Sequence, residues 1–192
     1  MNDETVVWFD FETGGLEPHH PSIQLAAVAV RGGVEVASFE RKIQFREADS
    51  QAEALALNSY DPEQWRDAAV PEGDAIKDFI AFLRAHADTE LVSARTGRPY
   101  NVALVGGHNV VGFDIPRLRA AAKGAFLPCC WWYPLDTYQR AIWHAQENGY
   151  RPANFQLSTL AEHFGIASEG AHDALADVRM CAALADALAA TG

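Results

Sequence analysis

The chain has 192 residues, 49% hydrophobic and 21% charged, the proportions of one soluble globular domain able to bury a core. Its 15 Lys and Arg stand against 26 Asp and Glu, a formal net charge of −11, which argues against tight duplex-DNA binding driven by counterion release. Nucleic acid is not excluded as a substrate, because metal neutralises acidic side chains and an enzyme must release its product.

Residues 1–5 are acidic, lack the basic and apolar regions of a secretory leader, and run straight into an apolar strand at 6–11 (VVWFDF). Asp10 and Glu12 interrupt it. They are two positions apart, so they project from one face of the strand. Two bare carboxylates in an apolar strand repel each other and resist desolvation. A divalent cation removes both costs, and hard oxygen ligands suit Mg²⁺ or Mn²⁺. Gly14-Gly15 ends the strand and lets another molecule approach the backbone.

Residues 16–21 form a turn containing Pro18 and Pro21. A second strand follows at 22–30, then a hairpin turn at Gly32-Gly33, then a third strand at 34–43. Residues 48–87 read as helical. A short helix at 52–57 ends at 58–62, and a longer one over 73–86 has Ala75, Ile76, Phe79, Ile80, Phe82 and Leu83 near helical period. Residues 88–101, polar and containing Gly97 and Pro99, read as a loop. Residues 102–105 (VALV) form a buried strand that delivers Gly106-Gly107-His108-Asn109 and then Phe113-Asp114-Ile115-Pro116. Pro116 suits the first turn of a helix reaching about Lys123, which Gly124 ends. Residues 126–135 read as a fifth strand, with Asp136-Thr137 opening a helix to about Glu147. Trp131 and Trp132 either stack on bases or pack beside the sheet, the commoner use of aromatics. A helix at 157–164 stops at Gly165, and an alanine-rich helix ends near Ala189. No repeat, linker or membrane-length apolar run interrupts this single domain, residues 1–192. The three cysteines, two of them adjacent (Cys129, Cys130), form neither a disulfide framework nor a zinc pattern and suit a reducing cytoplasm.

Asp114 stands at a strand-to-helix transition, a usual place for functional side chains, although it could equally cap the helix. Asn109 and Phe113 add a polar and a stacking group. His172 and Asp177 are five apart and would sit on different faces of one continuous helix. With Asp173 as N-cap they become N′ and N4, positions that meet across the first turn; the alternative is a surface histidine beside a capped helix. Arg95 and Arg98 share the 88–101 loop, and Arg117, Arg119 and Lys123 share a helix. Most of these are solvated charge, with a minority available to phosphates. Taken jointly, Asp10, Glu12, Asp114, Asp177 and one histidine are what a two-metal phosphodiesterase needs. Its metals lie roughly 3.5–4 Å apart, one activating water and the other stabilising the leaving oxygen. A histidine with an unperturbed pKa near about 6.5 can take the proton of the attacking water.

The pattern resembles the DnaQ-like 3′→5′ exonucleases of the DEDDh branch. The first motif is similar to DFET in Asp10–Thr13, the second to HNVVGFD in His108–Asp114, the third to HDALAD in His172–Asp177. Ile23-Gln24-Leu25-Ala26, Leu135-Asp136-Thr137 and Leu157…Leu160…Phe164-Gly165-Ile166 also match, so the resemblance spans nearly the whole chain. It implies an α/β, ribonuclease H-like fold: a five-stranded mixed sheet, its first three strands antiparallel, flanked by helices. It implies hydrolysis from the 3′ end of single-stranded or frayed DNA, releasing nucleoside 5′-monophosphates. By position, Asp10, Glu12, Asp114 and Asp177 would hold two Mg²⁺ or Mn²⁺ ions, and His172 would be the general base. Thr13, Gly14 and Leu16 would lie against the 3′-terminal nucleotide, with Leu16 on its base, and Asn109 and Phe113 would border that pocket. A common family form has a second threonine where this chain has Gly14. The 88–101 loop matches nothing in the family and reads as a strand clamp or an insertion.

Two further readings stay open. One is an exoribonuclease acting on RNA 3′ ends or short oligoribonucleotides; the two sugars differ at the 2′-OH, and no residue selects between them. The other is a non-catalytic nucleic-acid-binding domain. A free-standing enzyme is expected, with no membrane association, and a homodimer is an expectation taken from the family alone.

Overall fold

The computed structural model describes residues 4–126, 129–131, 133–167 and 173–190. The chain opens with β1 (Val6–Thr13), β2 (Ser22–Arg31) and β3 (Val34–Lys42), an antiparallel meander. Gly32 and Gly33, with φ of +56° and +79°, turn the chain between Arg31 and its partner Val34. Helices α1 (Ala52–Leu57), α2 (Pro62–Ala68) and α3 (Glu72–Ala85) follow, then strands β4 (Thr89–Val92), β5 (Pro99–Val102) and β6 (Leu104–Gly107). Helix α4 (Asp114–Ala122), β7 (Leu135–Asp136), α5 (Thr137–Asn148), α6 (Leu157–His163) and α7 (Ala174–Ala190) complete the order.

The main sheet has the order β3-β2-β1-β6-β7, with β6 parallel to both β1 and β7. This is the expected ribonuclease H-like arrangement, a five-stranded mixed sheet flanked by helices. Alternation along β1 divides the core. Val7, Phe9 and Phe11 pack with Ile76, Phe79 and Leu83 of α3 and Ile115 and Leu118 of α4. Trp8 faces the other way, toward Ala174, Val178 and Cys181 of α7. Asp10 and Glu12 share the parity of Trp8.

Two local expectations fail for identifiable reasons. Residues 88–101 are a hairpin, not a loop: Thr89 pairs with Val102 and Val92 with Pro99, around a turn in which Gly97 takes φ +65°. These strands are short and mostly exposed, so hydrophobic alternation gives little sign of them. Among the described residues of 126–135, only Leu135, the first residue of β7, belongs to a strand. Phe126 has helical angles, and the N–H groups of Cys129 and Cys130 both donate to its carbonyl. Cys130 makes one isolated bridge to Ala103, and the ladder is confined to β7. The apolar content here buries Phe126, Cys129 and Cys130 in the α3–α4 core instead of building a ladder. Trp131 lies edge-on to Tyr133, half-buried; Trp132 is outside the described residues. Helix α4 ends on Lys123 at φ +49°, one residue before Gly124. Among the described residues no helix is long and apolar enough to cross a membrane.

Candidate active site

β6 stops at Gly107, whose neighbour Gly106 pairs with Trp8. Beyond that point no strand among the described residues pairs with this flank of β1. The Phe11 N–H there donates to Asp114 Oδ1 at 3.0 Å, in a buried contact between residues 103 apart in sequence. Asp114 therefore does not cap its helix. It is the first residue of α4, Phe113 is the cap residue, and the carboxylate is tied to the strand bearing Asp10 and Glu12. On the opposite face, Asp173 caps α7 as its spacing predicts, accepting from the Leu175 and Ala176 N–H groups at 3.1 Å. Packing of Ala174 and Val178 against Trp8, Ala26 and Val28 lays the first turns of α7 along the face of Asp10 and Glu12, and Asp177 is carried there. His172 lies outside the described residues.

The four carboxylates are close enough to act on one another. Burial, followed by the charge of Asp177, pushes Asp10 up to about 7. Burial, followed by Asp10 and Asp177, pushes Glu12 up to about 9. Contact between the two side chains raises Glu12 and lowers Asp10, the direction expected of adjoining acids that resist ionising together. Burial and the charge of Asp10 hold Asp114 well above the ordinary carboxylate range, against the pull of the Phe11 N–H. As placed, no group of three or more His, Cys, Asp or Glu side chains among the described residues could hold a metal ion. The chemistry of the donor set nevertheless fits hard divalent cations: carboxylate oxygens from three segments, with Asp10, Glu12 and Asp114 costly to ionise without a counter-charge.

The segment after Glu12 is tightly built. Thr13 Oγ1 donates to Gly15 O at 2.8 Å, and Thr13 O accepts from Asn58 Nδ2 at 2.9 Å. The Thr13 hydroxyl thus shapes the turn. A Cβ at Gly14 would collide with the Ser50 side chain, its Cβ 2.7 Å away, so Ser50 fills the space that a second threonine would need. Leu16 is 82% exposed, a large apolar side chain offered to solvent four residues after Glu12. Asn109 is exposed, with φ +58°, and Phe113 is half-buried beneath the Arg117 guanidinium, 4.6 Å from ring centroid to Cζ.

Two residues of the matched stretches, Asp136 and His108, also make distant contacts that the sequence does not show. Asp136 accepts the Asn109 and Val111 N–H groups, both at 3.1 Å, while capping α5 through Tyr138 and Gln139. His108 bonds Thr137 Oγ1 through Nδ1 and the Phe155 carbonyl through Nε2, both at 2.9 Å. Burial lowers its pKa, and Nε2 is the donor to the Phe155 carbonyl, which can only accept. The β4–β5 hairpin is rooted at Asp88, which accepts the Thr5 N–H at the start of β1, the edge opposite the acids. That position does not support Arg95 and Arg98 as a clamp over them. Nor is Arg119 a free cation: its guanidinium lies over the Phe126 ring at 5.0 Å.

Architecture and site together define an α/β domain of ribonuclease H-like fold with an acidic cluster where its central strand outruns its neighbour. The chain matches no protein-family model and no curated protein. It is similar in structure to exonuclease I of E. coli in complex with a dA16 oligonucleotide, with a TM-score of 0.73 at 19% identity over 97% of this chain and 41% of that one. It is also similar to a zinc-ion-bound form of the E. coli exonuclease I complex with single-stranded DNA (TM-score 0.72, 18% identity, 98% and 41% coverage). A product-bound structure of exonuclease I matches at 0.72 and 17% identity, with 98% and 44% coverage. The chain spans about two fifths of the length of these structures, and at such identities the likeness shows the fold.

Proposed function

We propose that the chain is a metal-dependent 3′→5′ exonuclease domain, residues 1–192, that hydrolyses phosphodiester bonds at single-stranded or frayed DNA ends and releases nucleoside 5′-monophosphates. The observation that carries this reading is the convergence of Asp10, Glu12, Asp114 and Asp177 at the open end of β1. Support comes from the fold, shared with an exonuclease solved with single-stranded DNA and with product. Asp10, Glu12, Asp114 and Asp177 would hold two Mg²⁺ or Mn²⁺ ions. Such ions, when bound, supply an activated water and stabilise the leaving oxygen. His172, one residue before the cap of α7, would take the proton of the attacking water. Leu16, exposed in the loop that follows Glu12, would pack on the terminal base. Gly14 keeps the backbone low, Thr13 holds the turn that presents it, and Asn109 and Phe113 border the same nucleotide. The chain is placed in the cytoplasm, which suits three free, buried cysteines.

The test uses 5′-labelled single strands of DNA and of RNA with the purified chain. Mg²⁺ or Mn²⁺ should give a DNA ladder shortening from the 3′ end, abolished by EDTA. RNA shortening with DNA intact would transfer the assignment to an exoribonuclease. Both strands intact with both metals would sink the enzyme reading.

A further inference from the structure

We propose that Arg117 is a positioning residue that fixes the loop carrying Leu16 and thereby sets affinity for the 3′-terminal nucleotide. The inference rests on the exonuclease reading above and deepens it. Residues 14–21 form a small closed loop. Gly14 N–H donates to Pro21 O at 2.9 Å, His20 N–H to Glu17 O at 3.0 Å, and Glu17 N–H to His20 Nδ1 at 3.1 Å. These bonds shape the loop but do not anchor its tip. At its base, Gln51 N–H donates to Gly14 O at 2.7 Å. At its tip the anchor is Arg117, whose two terminal nitrogens donate to His20 O at 3.0 Å and Glu17 O at 3.1 Å. Glu17 is the residue after Leu16.

Arg117 stands three residues after Asp114, so both lie on one face of α4. Its guanidinium is stacked over Phe113 and makes no ion pair among the described residues. One planar group thus fixes the distance between the helix that begins at Asp114 and the loop that offers Leu16. Two carbonyls in fixed relation need two donors on a rigid fork, which arginine has and the point charge of lysine lacks. Leu16 is apolar and 82% exposed, with no core to hold it. Its orientation comes from the loop, and a loop ordered in advance spares the substrate that cost.

The experiment compares Arg117→Lys, Arg117→Met and Leu16→Ala in the full chain. Lys keeps the charge and most of the stem, so it remains usable if the Met variant folds poorly. Both Arg117 variants should speed hydrogen exchange of the amides in 14–21. They should raise KM for a single-stranded oligonucleotide, and its Kd measured with Ca²⁺, by about 2- to 10-fold, with kcat little changed. Leu16→Ala should raise KM in the wild-type background and add little in Arg117→Met. Wild-type KM and exchange in Arg117→Lys would overturn the proposal by making charge alone sufficient. Additive effects of the Leu16 and Arg117 changes would overturn it as well. A wild-type chain that cuts nothing would end the exonuclease reading, whereas exchange and strand binding would still decide the role of Arg117.

Discussion

Asp10→Asn is expected to stabilise the metal-free protein while abolishing cleavage. Asp10 has an ordinary value of 3.8 and is pushed up to about 7 by burial and Asp177. Between those pH values the unfolded chain has lost a proton that the folded chain keeps. Stability therefore falls as pH rises through that window, and the whole cost is present above about pH 7. At about 1.4 kcal/mol for each pH unit, the rise sets a ceiling of about 4 kcal/mol on ionising Asp10 in the fold. Glu12 and Asp177 share the same repulsion, so removing one acid relieves less, about 1–2 kcal/mol. For a chain of this length that corresponds to about 2–8 °C in Tm. Thermal unfolding followed by circular dichroism in EDTA, at about pH 8 and about pH 4.5, tests the sum. The variant should melt higher at the upper pH and level with wild type at the lower. Added Mg²⁺ should raise the wild-type Tm more than the variant's, because the variant has less repulsion to relieve. A variant that melts at or below wild type in EDTA at the upper pH refutes the reasoning. So does a gain equally large at the lower pH.

Gly14→Ala drives a Cβ into Ser50 and should cost about 1–3 kcal/mol in chemical denaturation, with Ser50→Gly recovering most of it; a neutral Gly14→Ala would show that the contact yields. His172→Ala should cut turnover by about 10²–10⁴ while the Mg²⁺-induced rise in Tm survives, and undiminished turnover would remove His172 from the mechanism. Arg95→Ala with Arg98→Ala should leave kcat/KM within about twofold, as for exposed residues remote from a site; a larger loss would put the hairpin on the substrate path.

Legibility in the sequence follows the range of the interaction. Asp10 and Glu12 stand out because a strand has period two and an apolar run makes two charges conspicuous. Asp173 reads as a cap because capping is completed within four residues. The hairpin at Gly32-Gly33 is equally local, since its turn needs two left-handed residues. Failures occur where local signals compete or are weak. The aromatic run after Phe126 has strand composition, but a tight turn at Phe126 and burial against α3 and α4 prevail. β4 and β5 pair with each other although neither has an apolar face to announce it.

The sequence by itself determined the acids, their order, the meander and the helix that ends the chain, because periodicity and capping act between near neighbours. Only the tertiary structure decided what Asp114 does: as a cap it would have been local, whereas its carboxylate is held by the Phe11 N–H across 103 residues of sequence. The same holds for Ser50 in the space beside Gly14 and for Arg117 on the Leu16 loop. Each depends on where β6 stops and how α4 crosses the end of β1, and no window of neighbouring residues records a contact made by packing.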